Sequence, residues 1–168
     1  ELFNLHAMVD PNIRPEFLGL DGTKWLKAAK PFTSLDGDAE PDLMFLSFYQ
    51  EQTVSTALWD ALSAVGPTVG VAGTDAHQNV LNLPMRDGER LDSYRRMIRW
   101  FSNWLLVEDD SLSAYESALR AHRMALVFEI LGTPAGFDFY VQDATGARWE
   151  MGSEAPLGEL TVSCPTLA

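Results

Sequence analysis

The stretch Thr68-Val-Gly-Val-Ala-Gly-Thr-Asp75-Ala-His77-Gln-Asn79 sets the reading of the whole chain. A β-branched, apolar run ends in Gly-Thr and then delivers a carboxylate and an imidazole two residues apart. That order predicts a buried strand, Val69 to Ala72, opening into a loop at its C-terminal end. In α/β folds, chemistry gathers at that end of parallel strands. An Asp-x-His pair there can give two ligands to one divalent cation, since imidazole and carboxylate both suit Zn, Mn or Fe. The same residues also suit an ordinary polar loop between strand and helix, and short motifs of this kind recur by chance.

Upstream of this stretch, Val54, Ala57, Leu58, Ala61, Leu62 and Val65 fall at helical spacing. They predict a helix capped by Thr53, stopped by Gly66-Pro67 and packed on the strand that follows. Helix, short turn and buried strand together form half of a parallel α/β unit. Pro41 suits the first turn of another helix after acidic residues, with Leu43, Phe45, Leu46 and Tyr49 following. A short helix from Lys24 to Lys30, capped by Thr23 and ended by Pro31, would turn Trp25, Leu26 and Ala29 inward. Asp10 to Gly22 reads as loop from its prolines and glycines. At the start, Glu1-Leu-Phe-Asn-Leu-His6 alternates apolar and polar, which predicts a strand with Asn4 and His6 on one face.

Downstream, Gln78 to Asp92 is irregular and is expected to fold over the Asp75–His77 loop. A short helix to about Arg96 and a strand ending near Val107 follow, with Trp100, Phe101 and Trp104 as core. Ser113-Ala-Tyr-Glu116 is a capping box for a helix running to about His122. From Met124 the pattern changes to short alternating runs separated by Gly132-Thr-Pro134 and Asp143-Ala-Thr-Gly146. This predicts a small antiparallel, sandwich-like β unit. The expected organisation is therefore α/β over residues 1–122 and β-rich over 123–168.

Composition narrows the function. The 168 residues are 46% hydrophobic and include five Trp, enough for a packed core. A net charge of −12 argues against binding to nucleic-acid phosphates or anionic lipid. It leaves a small anionic substrate open, because a metal reverses the local field. The single Cys164 excludes an internal disulfide and a Cys-based zinc site. No apolar run is long enough to span a bilayer and no signal peptide is recognisable. The first residue is not Met, which suggests a fragment or a processed product; the compartment, cytoplasmic or periplasmic, stays open.

Glu1-Leu-Phe-Asn-Leu-His6, followed at a distance by Val71-Ala-Gly-Thr-Asp75-Ala-His77, resembles the C-terminal half of a PHP domain, the polymerase and histidinol phosphatase family. The run from Arg99 to Asp138, with Phe128-Glu-Ile-Leu-Gly-Thr-Pro-Ala-Gly-Phe137, is similar to a C-terminal extension of bacterial PHP-like proteins. The resemblance implies a distorted βα barrel with a cluster of divalent metals and hydrolysis of phosphate esters. It implies that Asp75 and His77 are metal ligands and the residues on which catalysis rests. The family's opening H-x-H, its second histidine motif and its middle glutamate have no match here and would lie upstream of Glu1. A complete centre would then need the N-terminal half of the same gene product.

His6, at the end of the first expected strand, is a further candidate ligand, expected to converge with Asp75 and His77 on one Zn, Mn or Fe ion. Glu1 and Asn4 would support the site from behind. His122 reads as a helix-terminal residue, and Ser and Cys164 lack any nucleophile context. Two readings of function follow: a metal-dependent phosphoesterase acting on a small phosphorylated substrate, or a noncatalytic PHP-like module used in binding or assembly.

Overall fold

The fold is laid out around two short strands, β1 (Phe3–Asn4) and β2 (Ala72–Gly73), which pair in parallel with Phe3 level with Ala72 and Asn4 level with Gly73. The Leu2 N–H extends the ladder to the Val71 carbonyl at 2.7 Å. The computed structural model describes residues 1–10, 12–18, 25–79 and 82–163. The parallel pairing agrees with the sequence, but the second strand comes later and is shorter than expected. Ala72 is buried, while Val69 and Val71 are half-buried.

Both outer edges of this ribbon are closed by side-chain amides. The Asn4 N–H donates to Gln52 Oε1 (3.2 Å), and Gln52 Nε2 donates to the Asn4 carbonyl (2.8 Å). On the far side the Ala72 N–H donates to Asn103 Oδ1, and Asn103 Nδ2 donates to the Ala72 carbonyl, both at 2.9 Å. Each amide presents one donor and one acceptor, the pair that a neighbouring strand would offer.

The chain leaves β1 directly into helix α1 (Leu5–Val9). Glu1 to His6 is therefore not one strand. Asn4 caps the helix, its Oδ1 accepting from the Ala7 N–H at 2.8 Å, and the local capping bond outweighs the six-residue alternation. The expected loop from Asp10 also contains helix α2 (Ile13–Leu18). Asp10 Oδ1 accepts from the Asn12 and Ile13 N–H groups ahead of it, and Pro15 sits within the first turn, where no N–H is needed. Helix α3 (Trp25–Thr33) carries Pro31 in its last turn and runs past it. The expected cap at Thr23, the inward side chains of Trp25 and Leu26, and Cys164 lie outside what is described.

The segment beginning at Pro41 is a 3₁₀ helix, Pro41–Phe48, which buries Met44 and Phe45. It packs on α3. Helix α4 (Thr53–Ser63) is where the spacing placed it, with Gln52 rather than Thr53 at its N-terminal boundary. Its apolar face is not covered: Val54, Leu58 and Leu62 are 51%, 60% and 48% exposed, and Val65 just beyond is 91% exposed. The link to the β2 region is made by Trp59, whose indole N–H donates to the Thr68 carbonyl at 2.8 Å. Periodicity identified which face is apolar; it carried no information on what would cover it.

Next come α5 (Tyr94–Ile98), capped by Ser93, and strand β3 (Ser102–Leu105), close to expectation. Helix α6 (Leu112–Arg120) is capped by Ser111, two residues before the expected box, with the Ala114 N–H on Ser111 Oγ at 3.2 Å. It ends at Arg120 with Ala121 as cap, and His122 just beyond takes a left-handed backbone (φ 56°). Strand β4 (Met124–Val127) runs antiparallel to β3, so the β-rich run opening at Met124 begins by pairing backwards with β3. Strands β5 (Tyr140–Asp143), β6 (Arg148–Glu150) and β7 (Leu160–Ser163) then form a three-stranded antiparallel sheet in the order β6-β5-β7.

The core lies beneath the parallel ribbon. Phe3 stacks on Tyr49 (centroids 5.3 Å apart) and meets Phe101 and Phe128 edge-on at 5.3 and 5.2 Å. This aromatic box ties β1 to the segments flanking β3 and β4. A second group, Met44, Phe45, Met97 and Trp100, is fully buried, with the Phe45 ring edge-on to Trp100. No helix among the described residues is long and apolar enough to cross a membrane.

Candidate metal centre

Parallel pairing fixes which residues meet. Asn4 and Gly73 lie level, so the residues two positions later, His6 and Asp75, leave the ribbon at the same end. Helix α1 then folds His6 back into the structure, and the loop after β2 carries Asp75 and His77 around it. The His6 and His77 rings lie 5.2 Å apart between centroids, tilted by 46°. His77 Nε2 stands 2.7 Å from Asp75 Oδ1.

The three side chains differ in setting. His6 is 8% exposed, and among the described residues its Nδ1 has no hydrogen-bond partner. A buried polar atom left unpaired is costly, so His6 Nδ1 is chemically unsatisfied as it stands. Asp75 and His77 are half-exposed and paired with each other. Among the described residues no group of three His, Cys, Asp or Glu side chains gathers closely enough to hold one cation. The structure thus brings the two imidazoles together and pairs Asp75 with His77; it does not draw all three expected ligands around one point.

Glu1 and Asn4 support the mouth. Asn4 Nδ2 donates to Glu1 Oε2 at 2.7 Å while its own Oδ1 caps α1. The Glu1 carboxylate lies over Gly73, where an added Cβ would come within 2.3 Å of Glu1 Oε1. The absence of a side chain at Gly73 lets the Glu1 carboxylate rest against the strand that feeds the loop.

The loop itself is held in an unusual backbone. Asp75 (φ 47°) and Gln78 (φ 55°) both take left-handed conformations without being glycine, a state that needs support from its surroundings. Support comes from a residue the sequence did not single out. Arg90 donates through one nitrogen to the Gln78 carbonyl and makes two bonds to Asp92, at 2.8 and 3.0 Å. Asp92 is 1% exposed. The segment bearing Arg90 is a small hairpin: Pro84 bridges Arg90, the Met85 N–H donates to the Glu89 carbonyl and the Leu91 N–H to the Leu83 carbonyl. The irregular stretch expected after His77 does reach the loop, through Arg90.

His122 stays apart from this group in the turn that follows α6, close to the helix C-terminus where the sequence placed it. No protein-family model matches the chain, and neither any curated protein nor any solved structure matches it significantly.

Proposed function

We propose that the mouth of the parallel ribbon is a divalent-metal site and that the chain is part of a PHP-type, metal-dependent phosphoesterase. The observation that carries this reading is the buried, unsatisfied Nδ1 of His6 beside the Asp75–His77 pair. Two imidazoles and a carboxylate are a donor set suited to Zn, Mn or Fe. When bound, such an ion polarises a phosphoryl oxygen and makes water acidic enough to act as a nucleophile near neutral pH. His6, Asp75 and His77 would hold it. Glu1 and Asn4 would fix the β1–α1 side of the mouth, and solvent would complete the coordination. In the structure Asp75 and His77 pair with each other, and a bound ion would take the place of that pairing. The barrel that the family resemblance implies belongs to the same proposal, with the remaining motifs supplied by an N-terminal half.

The test is metal analysis of the purified chain after incubation with Zn, Mn or Fe, alongside Asp75→Ala and His77→Ala, followed by hydrolysis of a generic phosphomonoester. Retention of metal by the wild type, and its loss in both variants, is the expected result. Equal metal content in all three would rule the site out. A second reading, a noncatalytic module used in assembly, is favoured by the uncovered apolar face of α4. Bound metal without hydrolysis, in protein that also carries the proposed N-terminal half, would favour it.

A further inference from the structure

We infer that Arg90 is a positioning residue for Asp75 and His77, holding the loop that carries them from one residue beyond the pair. The inference rests on the metal-site reading given above, but its geometry is independent of any metal. An arginine with a purely structural task would be satisfied by Asp92, whose carboxylate takes two of its donors. Arg90 spends a further donor on the carbonyl of Gln78, the residue directly after His77. That carbonyl belongs to one of the two loop residues with left-handed backbones; the other is Asp75 itself, so the pair runs from one strained residue to the position before the next. A planar guanidinium can serve a carboxylate and a carbonyl at once, because its donors diverge in a fixed fork.

The anchor behind Arg90 is rigid. Met85 and Leu91 are 1% and 2% exposed, and Asp92 is equally buried. Arg96, also buried, donates through Nε to the Arg90 carbonyl at 3.3 Å and through its terminal nitrogen to Asp87 at 2.8 Å. The hairpin is therefore pinned to the core by apolar side chains and to α5 by a guanidinium. Its position passes to the loop through Arg90. Groups that orient ligands without touching the metal typically change affinity by roughly 10–100-fold when removed, and that is the size of effect this geometry assigns to Arg90.

The experiment compares the wild-type chain with Arg90→Lys and Arg90→Ala, using Co(II) as the probe ion. Three readouts are taken: Co(II) affinity, the visible absorption spectrum of bound Co(II), and amide hydrogen exchange across residues 74–79. Lysine keeps a charge for Asp92 but cannot hold both acceptors in one plane, so Arg90→Lys is expected to fold normally. The expected result is Co(II) binding weakened by roughly 10-fold or more, an altered spectrum, and faster exchange in residues 74–79 with the melting temperature little changed. Wild-type affinity, spectrum and loop exchange in Arg90→Lys would overturn the inference. If Arg90→Ala fails to fold, the lysine variant decides alone. If the wild type binds no Co(II), the metal-site reading fails, and loop exchange still decides the role of Arg90: acceleration supports it and unchanged exchange refutes it.

Discussion

Around the parallel ribbon, Leu5, Met8, Met44, Phe45, Met97 and Trp100 have no exposed surface, whereas beyond Val127 no described residue is buried. Supply of apolar side chains does not explain this. The β5–β7 sheet and its approaches contain Phe137, Phe139, Tyr140, Val141, Trp149 and Val162. The difference is layering. The ribbon has helices and an aromatic box beneath it, while the three-stranded sheet and its approaches touch the rest of the described chain at points such as Phe137 on Trp104 and Gly152 against the Ala121–Arg123 turn. The surface pairs of this sheet place Arg148 between Asp138 and Glu150 and 3.5 Å from the centre of the Tyr140 ring. A sheet needs a second layer to bury a face, and exposed charge pairs stabilise little. The comparison teaches that the candidate site stands on the part of the chain best able to hold geometry.

Three sets of substitutions probe that contrast. The largest effect is expected from Trp100→Ala, at about 3–5 kcal/mol of unfolding free energy. Val141→Ala in the central strand of the outer sheet should cost under about 1 kcal/mol, since surface positions rarely exceed that. Urea denaturation of both variants measures the gap, and equal losses would mean that the two regions do not differ in packing.

Asp42 comes next. Its carboxylate accepts from Arg95, from Arg96 at 2.5 Å and from Arg99 at 3.1 Å. It joins the 3₁₀ helix to α5, and Arg96 is buried beneath it. Removing one partner of a buried pair costs about 3–5 kcal/mol. Asp87 would still hold Arg96, so Asp42→Ala is expected to cost about 2–3 kcal/mol. The Arg95 hydrogen bonds, aided by the other arginines, hold the Asp42 carboxyl below its ordinary value of 3.8, against the opposing effect of burial. Glu89, bonded to Arg95 and Ser93, is likewise held below 4.5. Both groups have folded-state values below their unfolded ones. Their stabilisation is therefore complete above the ordinary carboxyl range and is lost as pH falls through the depressed values. Melting temperature should decline more steeply with acid in the wild type than in Asp42→Asn; parallel curves would show that the network does not couple to folding.

The smallest effect is expected on α4. Leu58→Ser and Leu62→Ser should each change stability by no more than about 0.5 kcal/mol, because both side chains are already about half exposed. A loss above about 2 kcal/mol, the scale of true core truncation, would mean that something covers this face in solution.

Much of the architecture was legible because local signals agreed. The spacing of Val54 to Val65, the stop at Gly66-Pro67 and the turn at Asp143 to Gly146 each place an element where the structure has it. Legibility failed where two local signals competed or where the signal was distant. Asn4 is both an alternating strand residue and a good helix cap, and the cap won, moving His6 from a strand end onto a helix. Pro15 and Pro31 read as breaks, yet both fit inside helix turns. Gln52 and Asn103 reach partners 48 and 31 residues away, and nothing in their immediate surroundings marks them. At the candidate site, the Asp-x-His spacing singled out Asp75 and His77, and strand parallelism explains why the His6 ring lies beside that of His77. The Arg90 contact spans twelve residues, joins a side chain to a peptide carbonyl, and leaves no pattern in residue types.

The amide of Gln52 has a consequence for how the molecule meets other chains. An unpaired strand edge is a template on which foreign strands can grow. Here the edge at Asn4 is shut by a side chain, which can swing away, instead of by backbone, which cannot. The same residue begins α4, its carbonyl accepting from the Thr56 N–H at 3.0 Å. Any strand laid along Asn4 must evict the Gln52 amide, and the eviction pulls on the first turn of the helix with the uncovered apolar face. The lock on the sheet edge and the start of that helix are one residue, so a strand that displaced the Gln52 amide would act at the first turn of α4.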